Sequence, residues 1–203
     1  MEHTQNQITV RGSLQQLPTF SHENHGRKFY RFLLEVPRLS GTVDLLPVIV
    51  PAPILEELDP CAGSRIRVSG QIRSHNVRSE DGRHLQIFIF ASEIAAEEED
   101  AVNEVVIEGN LCREPILRRT PLGREICDVM LAVPRAFHRA DYLPCILWGS
   151  TAEQASYCHT GDSIRVWGRL QSRTYVKQTE QGPQSRTAYE ISAMTAEIPQ
   201  DLY

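Results

Sequence analysis

The chain has 203 residues, of which 41% are hydrophobic and 23% charged, a composition typical of a folded globular protein. No apolar run approaches the roughly 20 residues needed to cross a bilayer, and the N-terminus lacks the charged-then-apolar order of a secretory signal. We therefore expect a soluble protein of the cytoplasm. The formal net charge of −5 argues mildly against a polyanionic ligand, because nucleic-acid binders usually carry a basic footprint.

The distribution of charge is uneven. Residues 1–100 contain 10 basic and 14 acidic residues, whereas residues 101–203 contain 11 and 12. Much of the excess in the first half comes from the run at residues 97–100, which indicates a solvated linker. Only Lys28 and Lys177 are lysines. The arginine bias suits phosphate recognition, since the guanidinium offers a planar fork, but a G+C-rich genome would produce the same bias.

The sequence offers no metal or disulfide chemistry. The five cysteines are an odd number without a C-x-x-C pair, which argues against both a disulfide framework and a zinc ribbon. The seven histidines are scattered, and His22 and His25 lie in a polar loop where solvation is the simpler expectation. We expect reduced cysteines and no cofactor.

The chain contains an internal sequence repeat. Residues of the first half recur 97 positions later (103 − 6 = 97), and later anchors recur 98 positions later (161 − 63 = 98). The first set begins at Asn6, Gly12, Leu14 and Pro18, which answer to Asn103, Gly109, Leu111 and Pro115. We therefore predict two domains, at residues 1–96 and 103–203, joined by an acidic linker at 97–102.

In the first repeat, alternation with period two places Tyr30, Phe32, Leu34 and Val36 on one face of a strand. Phe29 and Leu33 fall on the other face, where exposed apolar residues would suit packing against another barrel. A short helix is predicted to begin at Pro53 and to run to Leu58, with Gly63 closing the segment.

In the second repeat, period-two alternation predicts strands at 104–111, 126–133, 143–148, 163–170 and 187–194. One face of the second strand carries Cys127, Val129, Leu131 and Val133. Ser150 and Glu153 have the spacing of a helix capping box. Three strands, a short helix and two strands predict an all-β chain of two tandem five-stranded OB-fold (Greek-key) barrels, although an SH3-like barrel or a small sandwich would show a similar pattern.

An ordered series of motifs runs through the second repeat. Asn103, Gly109, Leu111 and Pro115 are followed by Thr120-Pro121, Gly123, Leu131-Ala132-Val133, Trp148-Gly149, Gly161-Asp162 and Gly168-Arg169-Leu170. Over nearly all of residues 103–198 this series resembles the bacterial single-stranded DNA-binding protein (SSB) family. The resemblance implies an OB fold, a role in replication, recombination and repair, and assemblies that present four OB folds, which two of these chains would supply as a homodimer.

The resemblance also assigns site residues. Single-strand binders need aromatic platforms for bases and cations for phosphates. The positions that match the family's stacking residues are Tyr142, Trp148 and Tyr175. Basic residues on or near the same strands and loops are candidates for phosphate contacts: Arg113, Arg118, Arg119, Arg135, Arg139, Arg169, Arg173 and Lys177.

Each aromatic residue also has an ordinary structural explanation. Trp148 ends an apolar strand, where tryptophan is more often core than platform. Trp167 alternates with arginines and is predicted to point outward, either onto DNA or into a subunit interface. Tyr142 and Tyr175 flank strand ends and are equally suited to rim positions.

The first repeat departs from the family at these positions. The repeat offset places Leu45, Pro51 and Val77 where the second repeat has Tyr142, Trp148 and Tyr175. We therefore predict that the second repeat is the main binding domain and that the first is a scaffold or a weaker electrostatic site. The chain ends at residues 199–203 without an acidic tip, which puts recruitment of repair enzymes by that route in doubt.

Other classes of function are less favoured. No phosphate-cradling glycine loop, H-E-x-x-H motif or nucleophile elbow is present, so we expect no enzyme activity. A protein-interaction module built from OB folds fits the acidic charge but not the aromatic set. RNA binding uses the same stacking chemistry and stays open. The expected function is binding of single-stranded DNA with little sequence preference, in the nucleoid of a bacterial cytoplasm.

Overall fold

The computed structural model describes residues 5–58, 60–79, 82–179 and 182–198, and each repeat contains six strands and one short helix. The first repeat comprises β1 (Asn6–Leu14), β2 (Thr19–Asn24), β3 (Arg27–Pro37), β4 (Val43–Pro51), α1 (Ala52–Leu58), β5 (Arg65–Ser79) and β6 (Gly82–Ala96). The second comprises β7 (Val102–Leu111), β8 (Ile116–Arg119), β9 (Glu125–Arg135), β10 (Arg139–Trp148), α2 (Ser150–Ala155), β11 (Ser163–Thr179) and β12 (Gly182–Glu197).

Five strands of the first repeat close into a barrel. The order is β3-β4-β6-β5-β1, and pairing of Leu14 on β1 with Leu34 on β3 completes the circuit. All described pairings are antiparallel except β4 with β6, where Val48 lies opposite Ile89 in a parallel register. The remaining strand, β2, forms a hairpin with β3 outside the circuit. A closed five-stranded circuit leaves only this short added strand as an edge.

The second repeat forms the same circuit, in the order β9-β10-β12-β11-β7. Leu111 on β7 pairs with Leu131 on β9 to close it, and β10 runs parallel to β12, with Ile146 opposite Ser192. Strand β8 pairs with β9 as the added edge strand. The predicted pair of tandem five-stranded OB barrels is therefore confirmed.

The core of each barrel lies on the face that alternation predicted. All four inward positions of β9 are buried, from Cys127 to Val133. In β3, Phe32, Leu34 and Val36 are buried, while Tyr30 at the end of the barrel is half-buried. Phe29 and Leu33, predicted to be exposed, are also half-buried.

Glycines let neighbouring strands approach closely in each barrel. A Cβ built on Gly168 of β11 would lie 2.1 Å from the carbonyl oxygen of Ser192 on β12, and one on Gly70 of β5 would lie 2.1 Å from the carbonyl oxygen of Phe90 on β6. Any side chain at either position would therefore push these strands apart.

Several local predictions differ from the structure. The added strands β2 and β8 were not predicted, because most of their residues are exposed and show no apolar alternation. The predicted capping box at Ser150 and Glu153 is wrong. Gly149, with φ of 59°, is the N-cap, and its carbonyl oxygen accepts the amide N–H of Ala152 at 3.0 Å. Ser150 is consequently the first helical residue, where its hydroxyl makes no capping hydrogen bond.

The described residues form two compact units. One unit contains the described residues of 7–73 and residues 88–104, and the other contains residues 5 and 6, the described part of 74–87 and the described residues from 105 onward. The outer part of the β5–β6 hairpin thus belongs to the same unit as the second barrel. The domain boundaries predicted at 96 and 103 stay a prediction.

The predicted acidic linker is engaged with arginines of its own unit. The Glu97 carboxylate accepts a hydrogen bond from Arg11 Nε at 2.6 Å, and Arg65 donates to the backbone carbonyl oxygen of Glu99 at 2.6 Å. Neither helix of the described chain has the length and apolar character required to span a bilayer. Residues 199–203, where no acidic tip is expected, lie outside the described residues.

Candidate nucleic-acid interface

Trp148 lies at the barrel surface and not in the core. It is the last residue of β10, and 36% of its surface is exposed. Its indole Nε1–H donates a hydrogen bond to the Ser192 hydroxyl on the neighbouring strand β12 at 3.1 Å. This bond fixes the polar edge of the ring and leaves part of the indole accessible, which is the arrangement that a stacking platform requires.

A cationic side chain lies across the sheet from the hydrogen-bond partner of this tryptophan. Arg169 on β11 lies directly opposite Ser192, the hydrogen-bond partner of Trp148. The Nε atom of Arg169 is buried and has no hydrogen-bond partner among the residues that the structure describes. A buried donor without a partner is uncommon, which makes Arg169 an exception among the described polar side chains.

The same face carries a buried polar pair that sequence reasoning missed. Gln171 Nε2 donates to Glu190 Oε1 at 3.0 Å, and both side chains are less than 9% exposed. Glu190 also lies 3.6 Å from Arg173 Nε. The signal available in the sequence is that Glu190 and Ser192 are the polar members of a strand whose alternate residues, Ile191 and Ala193, are core.

Strand β11 carries two aromatic residues, Trp167 and Tyr175, and an arginine lies over the ring of each. The Arg165 guanidinium carbon lies 5.2 Å from the centroid of the half-buried Trp167 ring, and the Arg173 guanidinium carbon lies 5.6 Å from that of Tyr175. Both distances fall within the range of cation–π contacts. Tyr175 remains 38% exposed, and Lys177 follows on the same face of the strand. The outer part of β11 therefore presents alternating aromatic and cationic side chains.

Tyr142 is positioned through its backbone. Its amide N–H donates to the Ser74 hydroxyl at 2.7 Å, and the amide N–H of Ser74 donates to the carboxylate of Asp141 at 2.8 Å. Asp141 is fully buried and also accepts a hydrogen bond from Arg135 at 3.2 Å. The Tyr142 ring itself is 43% exposed. Ser74 and Asp141, which were not predicted, thus hold the backbone of a predicted stacking residue.

Four of the eight predicted phosphate ligands are already paired with carboxylates of the chain. These pairs are Arg118 with Asp128, Arg119 with Glu125 at 2.8 Å, Arg135 with Asp141 at 3.2 Å and Arg173 with Glu190 at 3.6 Å. The hydrogen bonds that Arg118 donates to the Asp128 carboxylate are the main reason that the pKa of Arg118 is raised. Because the paired guanidiniums are partly exposed, a phosphate can still approach them, but it must compete with a neighbouring carboxylate.

Three of the other predicted cations differ from these four. Arg113, Arg139 and Arg169 form no ion pair with any residue of the described ranges. Arg113 follows β7, while Arg139 begins β10 and lies opposite Arg135 on β9. Because Arg135 is already paired with Asp141, Arg139 adds a further positive charge beside that pair.

Two buried thiols of the second barrel are not activated. Burial is the main cause that raises the pKa of the Cys127 and Cys158 thiols to about 11, so both are protonated at neutral pH. Within the described part of the chain no cluster of three or more His, Cys, Asp or Glu side chains is placed to hold a metal ion. The surface is suited to binding by stacking and charge.

Comparison with known proteins identifies the second repeat. Residues 102–199 match the model of the single-strand binding protein family. The single-stranded DNA-binding protein B of Bacillus subtilis is 41% identical over 87 residues, which are 39% of this chain and 75% of that protein. The single-stranded DNA-binding protein of Bacillus cereus is 39% identical over 84 residues, and the chain spans only 49% of its length.

Solved structures match the whole chain. The wild-type single-stranded DNA binding protein of Thermus aquaticus superposes with a TM-score of 0.78 at 25% identity, covering 96% of this chain and 93% of that one. A deletion mutant of the same protein gives 0.77 at 24% identity, covering 97% and 95%, and shows the likeness of fold alone. The family model covers the second barrel, which carries Trp148. The Bacillus subtilis protein is 41% identical, and the match covers 75% of its length. The chain therefore belongs to the single-strand binding protein family.

Proposed function

We propose that the protein binds single-stranded DNA with little sequence preference and supports DNA replication, recombination or repair. The observation that carries this proposal is Trp148, a partly exposed tryptophan that is hydrogen-bonded to Ser192, with Arg169 lying opposite Ser192 on β11. Stacking on an aromatic ring does not discriminate between bases, because every base has a π-face, and cations beside it hold the backbone. Tyr142 and Tyr175 extend the set of platforms on the same barrel. The protein acts without catalysis.

The test is intrinsic tryptophan fluorescence during titration with oligo(dT) at low and high salt. We expect saturable quenching and an affinity that falls as salt rises, because phosphate contacts release counterions. Trp148→Ala should lower the affinity about 5- to 150-fold, which corresponds to the 1–3 kcal/mol of one stacked base. Titration with oligo(U) and with duplex DNA measures the preference for DNA over RNA and for single strands. A wild-type protein with no saturable response would overturn the proposal.

A second candidate is a protein-interaction module of the primosome or of recombination that binds DNA weakly. The observation that favours it is the internal neutralisation of Arg118, Arg119, Arg135 and Arg173, together with the net charge of −5. The salt dependence separates the two candidates. A protein interface has no obligatory counterion release, whereas a surface that grips several phosphates loses affinity steeply as salt rises.

We further propose that the chain forms a homodimer in the bacterial cytoplasm, so that four OB barrels act together on one strand. Two chains supply the four barrels that the family resemblance implies. Sedimentation equilibrium tests the assembly, because a dimer of a 23.0 kDa chain has twice that mass. A monomer at micromolar concentration would remove this part of the proposal without affecting the binding of DNA.

A further inference from the structure

A serine of the first repeat is hydrogen-bonded to two consecutive residues of the second. Ser74 lies on β5, and it belongs to the same compact unit as the strands of the second barrel. Its amide N–H donates to the Asp141 carboxylate at 2.8 Å, and its hydroxyl accepts the amide N–H of Tyr142 at 2.7 Å. Because hydrogen bonds are directional, two of them to neighbouring residues define both the position and the direction of this part of β10.

The contact lies on a part of β10 that β12 does not cover. Strand β10 pairs with β9 over its whole length, from Arg139 to Trp148, whereas its described pairing with β12 runs only from Cys145 to Leu147. Tyr142 precedes that stretch. Among the described pairings, no strand of the barrel therefore covers this edge of β10 at Tyr142, and the Ser74 hydroxyl supplies the acceptor that a backbone amide needs there.

The turn that leads into β10 is held by contacts further along the strand. Phe137 and His138, which connect β9 to β10, have φ of 62° and 53°, in the left-handed region that non-glycine residues seldom adopt. The Phe137 side chain is 90% exposed, so its packing does not compensate for this conformation. Backbone strain of this kind persists only where the surrounding structure maintains it. The buried Asp141, which binds both Arg135 and Ser74, provides such an anchor.

The orientation of the Tyr142 ring depends on the same backbone. Asp141 and Leu143, on either side of Tyr142, are both fully buried, so alternation along the strand directs the ring outward. A platform whose backbone is already fixed loses less conformational entropy when a base stacks on it, and it therefore binds that base more tightly. Fixing β10 at Tyr142 is thus a contribution to binding and not only to folding.

We infer that Ser74 is a positioning residue for single-strand binding, which acts from the first repeat on the Tyr142 platform of the second. This inference rests on the proposed function. The hydroxyl and the amide of Ser74 are both engaged with β10, so its effect on the ligand passes through Tyr142. The first repeat thereby takes part in the site of the second barrel through a residue that does not itself touch DNA.

The experiment is a double-mutant cycle of Ser74→Ala and Tyr142→Ala in the full chain, with affinity for oligo(dT) measured by quenching of tryptophan fluorescence. Tyr142→Ala should lower the affinity at least about 5-fold, which corresponds to the loss of one stacked base. Ser74→Ala should lower it about 2- to 10-fold in the wild-type background, as expected for one hydrogen bond, and should have no further effect in the Tyr142→Ala background. The salt slope of Ser74→Ala should equal that of wild type, because no phosphate contact is lost.

Two further variants separate positioning from a general effect of substitution in this hairpin. Ser74→Thr keeps the hydroxyl and should restore the wild-type affinity. Ser92→Ala is the matched control, because it removes an exposed hydroxyl from β6 of the same hairpin. That hydroxyl donates to the backbone carbonyl oxygen of Ser69 at 3.2 Å, within the other compact unit. Ser92→Ala should leave the affinity unchanged.

Hydrogen exchange tests the contact in the absence of DNA. In Ser74→Ala the amide proton of Tyr142 loses its acceptor, so its exchange with solvent, measured by NMR, should become faster. Ser74→Thr should show the wild-type rate. An exchange rate that does not change in Ser74→Ala would overturn the inference, since the hydroxyl would then not hold the backbone of Tyr142.

The binding data distinguish failure of this inference from failure of the proposed function. A wild-type protein that does not bind oligo(dT) would remove the proposed function and this inference with it. A protein that binds and responds to Trp148→Ala, but in which Ser74→Ala has the wild-type affinity, would overturn this inference alone. An equal loss on Ser74→Ala with and without Tyr142→Ala would do the same, because Ser74 would then act through another residue.

Discussion

Removal of the Asp128 carboxylate should strengthen the binding of single-stranded DNA. Asp128 accepts two hydrogen bonds from Arg118, one of them from Nη2 at 3.1 Å, and so occupies a guanidinium that would otherwise face solvent. Asp128→Asn keeps the shape of the side chain and removes its charge. Because the Arg118 side chain is 47% exposed, the pair contributes at most about 1 kcal/mol to folding, and the variant should remain folded.

The magnitude follows from the counterions that one additional phosphate contact releases. Each contact to a single strand makes the slope of log affinity against log salt steeper by about 0.7. Between about 50 and 200 mM salt, a fourfold change, Asp128→Asn should therefore lose about threefold more affinity than wild type does. The increase in affinity of Asp128→Asn over wild type should be largest at low salt. Fluorescence titration with oligo(dT) across this range measures both quantities.

The controls separate a local effect from a change of net charge. Glu104→Gln removes an equal charge from an exposed position at the start of β7, and it should leave the slope unchanged. Asp128→Asn combined with Arg118→Gln should return the slope to the wild-type value or below it. An unchanged slope in Asp128→Asn would show that Arg118 does not reach a phosphate. A fall in affinity would show that Asp128 orients Arg118 for binding.

Three further predictions concern single side chains. Ser192→Ala removes the acceptor of the Trp148 indole N–H, and fluorescence titration should show an affinity for oligo(dT) about 2- to 10-fold weaker; unchanged affinity would mean that the ring is held by packing alone. Asp141→Ala leaves Arg135 without its buried partner and should lower the free energy of unfolding by about 3 kcal/mol in urea, whereas a loss below about 1 kcal/mol would contradict a structural role for this carboxylate. Gly168→Ala places a methyl group against the carbonyl of Ser192 and should cost about 1–3 kcal/mol of stability by thermal unfolding; a neutral result would refute the tight strand crossing.

Most of the fold could be predicted because the same order of alternating strands occurs in both repeats, so that each repeat supports the strand assignment of the other. The inward residues of β9 and β3 were found from period two alone, since a closed barrel buries one face of every strand. The added strands were missed because Ile116–Arg119 is exposed along its whole length and shows no alternation. The start of α2 was misplaced because Gly149 adopts a positive φ, which a residue pattern does not reveal.

The candidate site was predicted less completely, since its partners come from different strands. Asp128 and Arg118 are ten residues apart and meet only through the β8–β9 register. The contact between the rings of Phe29 and Phe90 in the first repeat, whose centroids lie 6.0 Å apart, was missed for a related reason. The correspondence between repeats shifts from 98 positions at Gly168 (168 − 70 = 98) to 102 at Ile191 (191 − 89 = 102), because the β11–β12 hairpin is longer.

The contact of Ser74 with Asp141 bears on how this gene can evolve. Ser74 is encoded in the first copy of the duplicated segment, yet its hydroxyl and amide complete hydrogen bonds around Asp141 and Tyr142 in the second. Deletion of the first copy would leave a buried carboxylate and a backbone amide short of partners. Recombination between the two copies that removed Ser74 would break the same hydrogen bonds. Loss of the first copy therefore carries a structural cost at this point, and we expect relatives with a single copy to carry compensating changes at the position of Asp141.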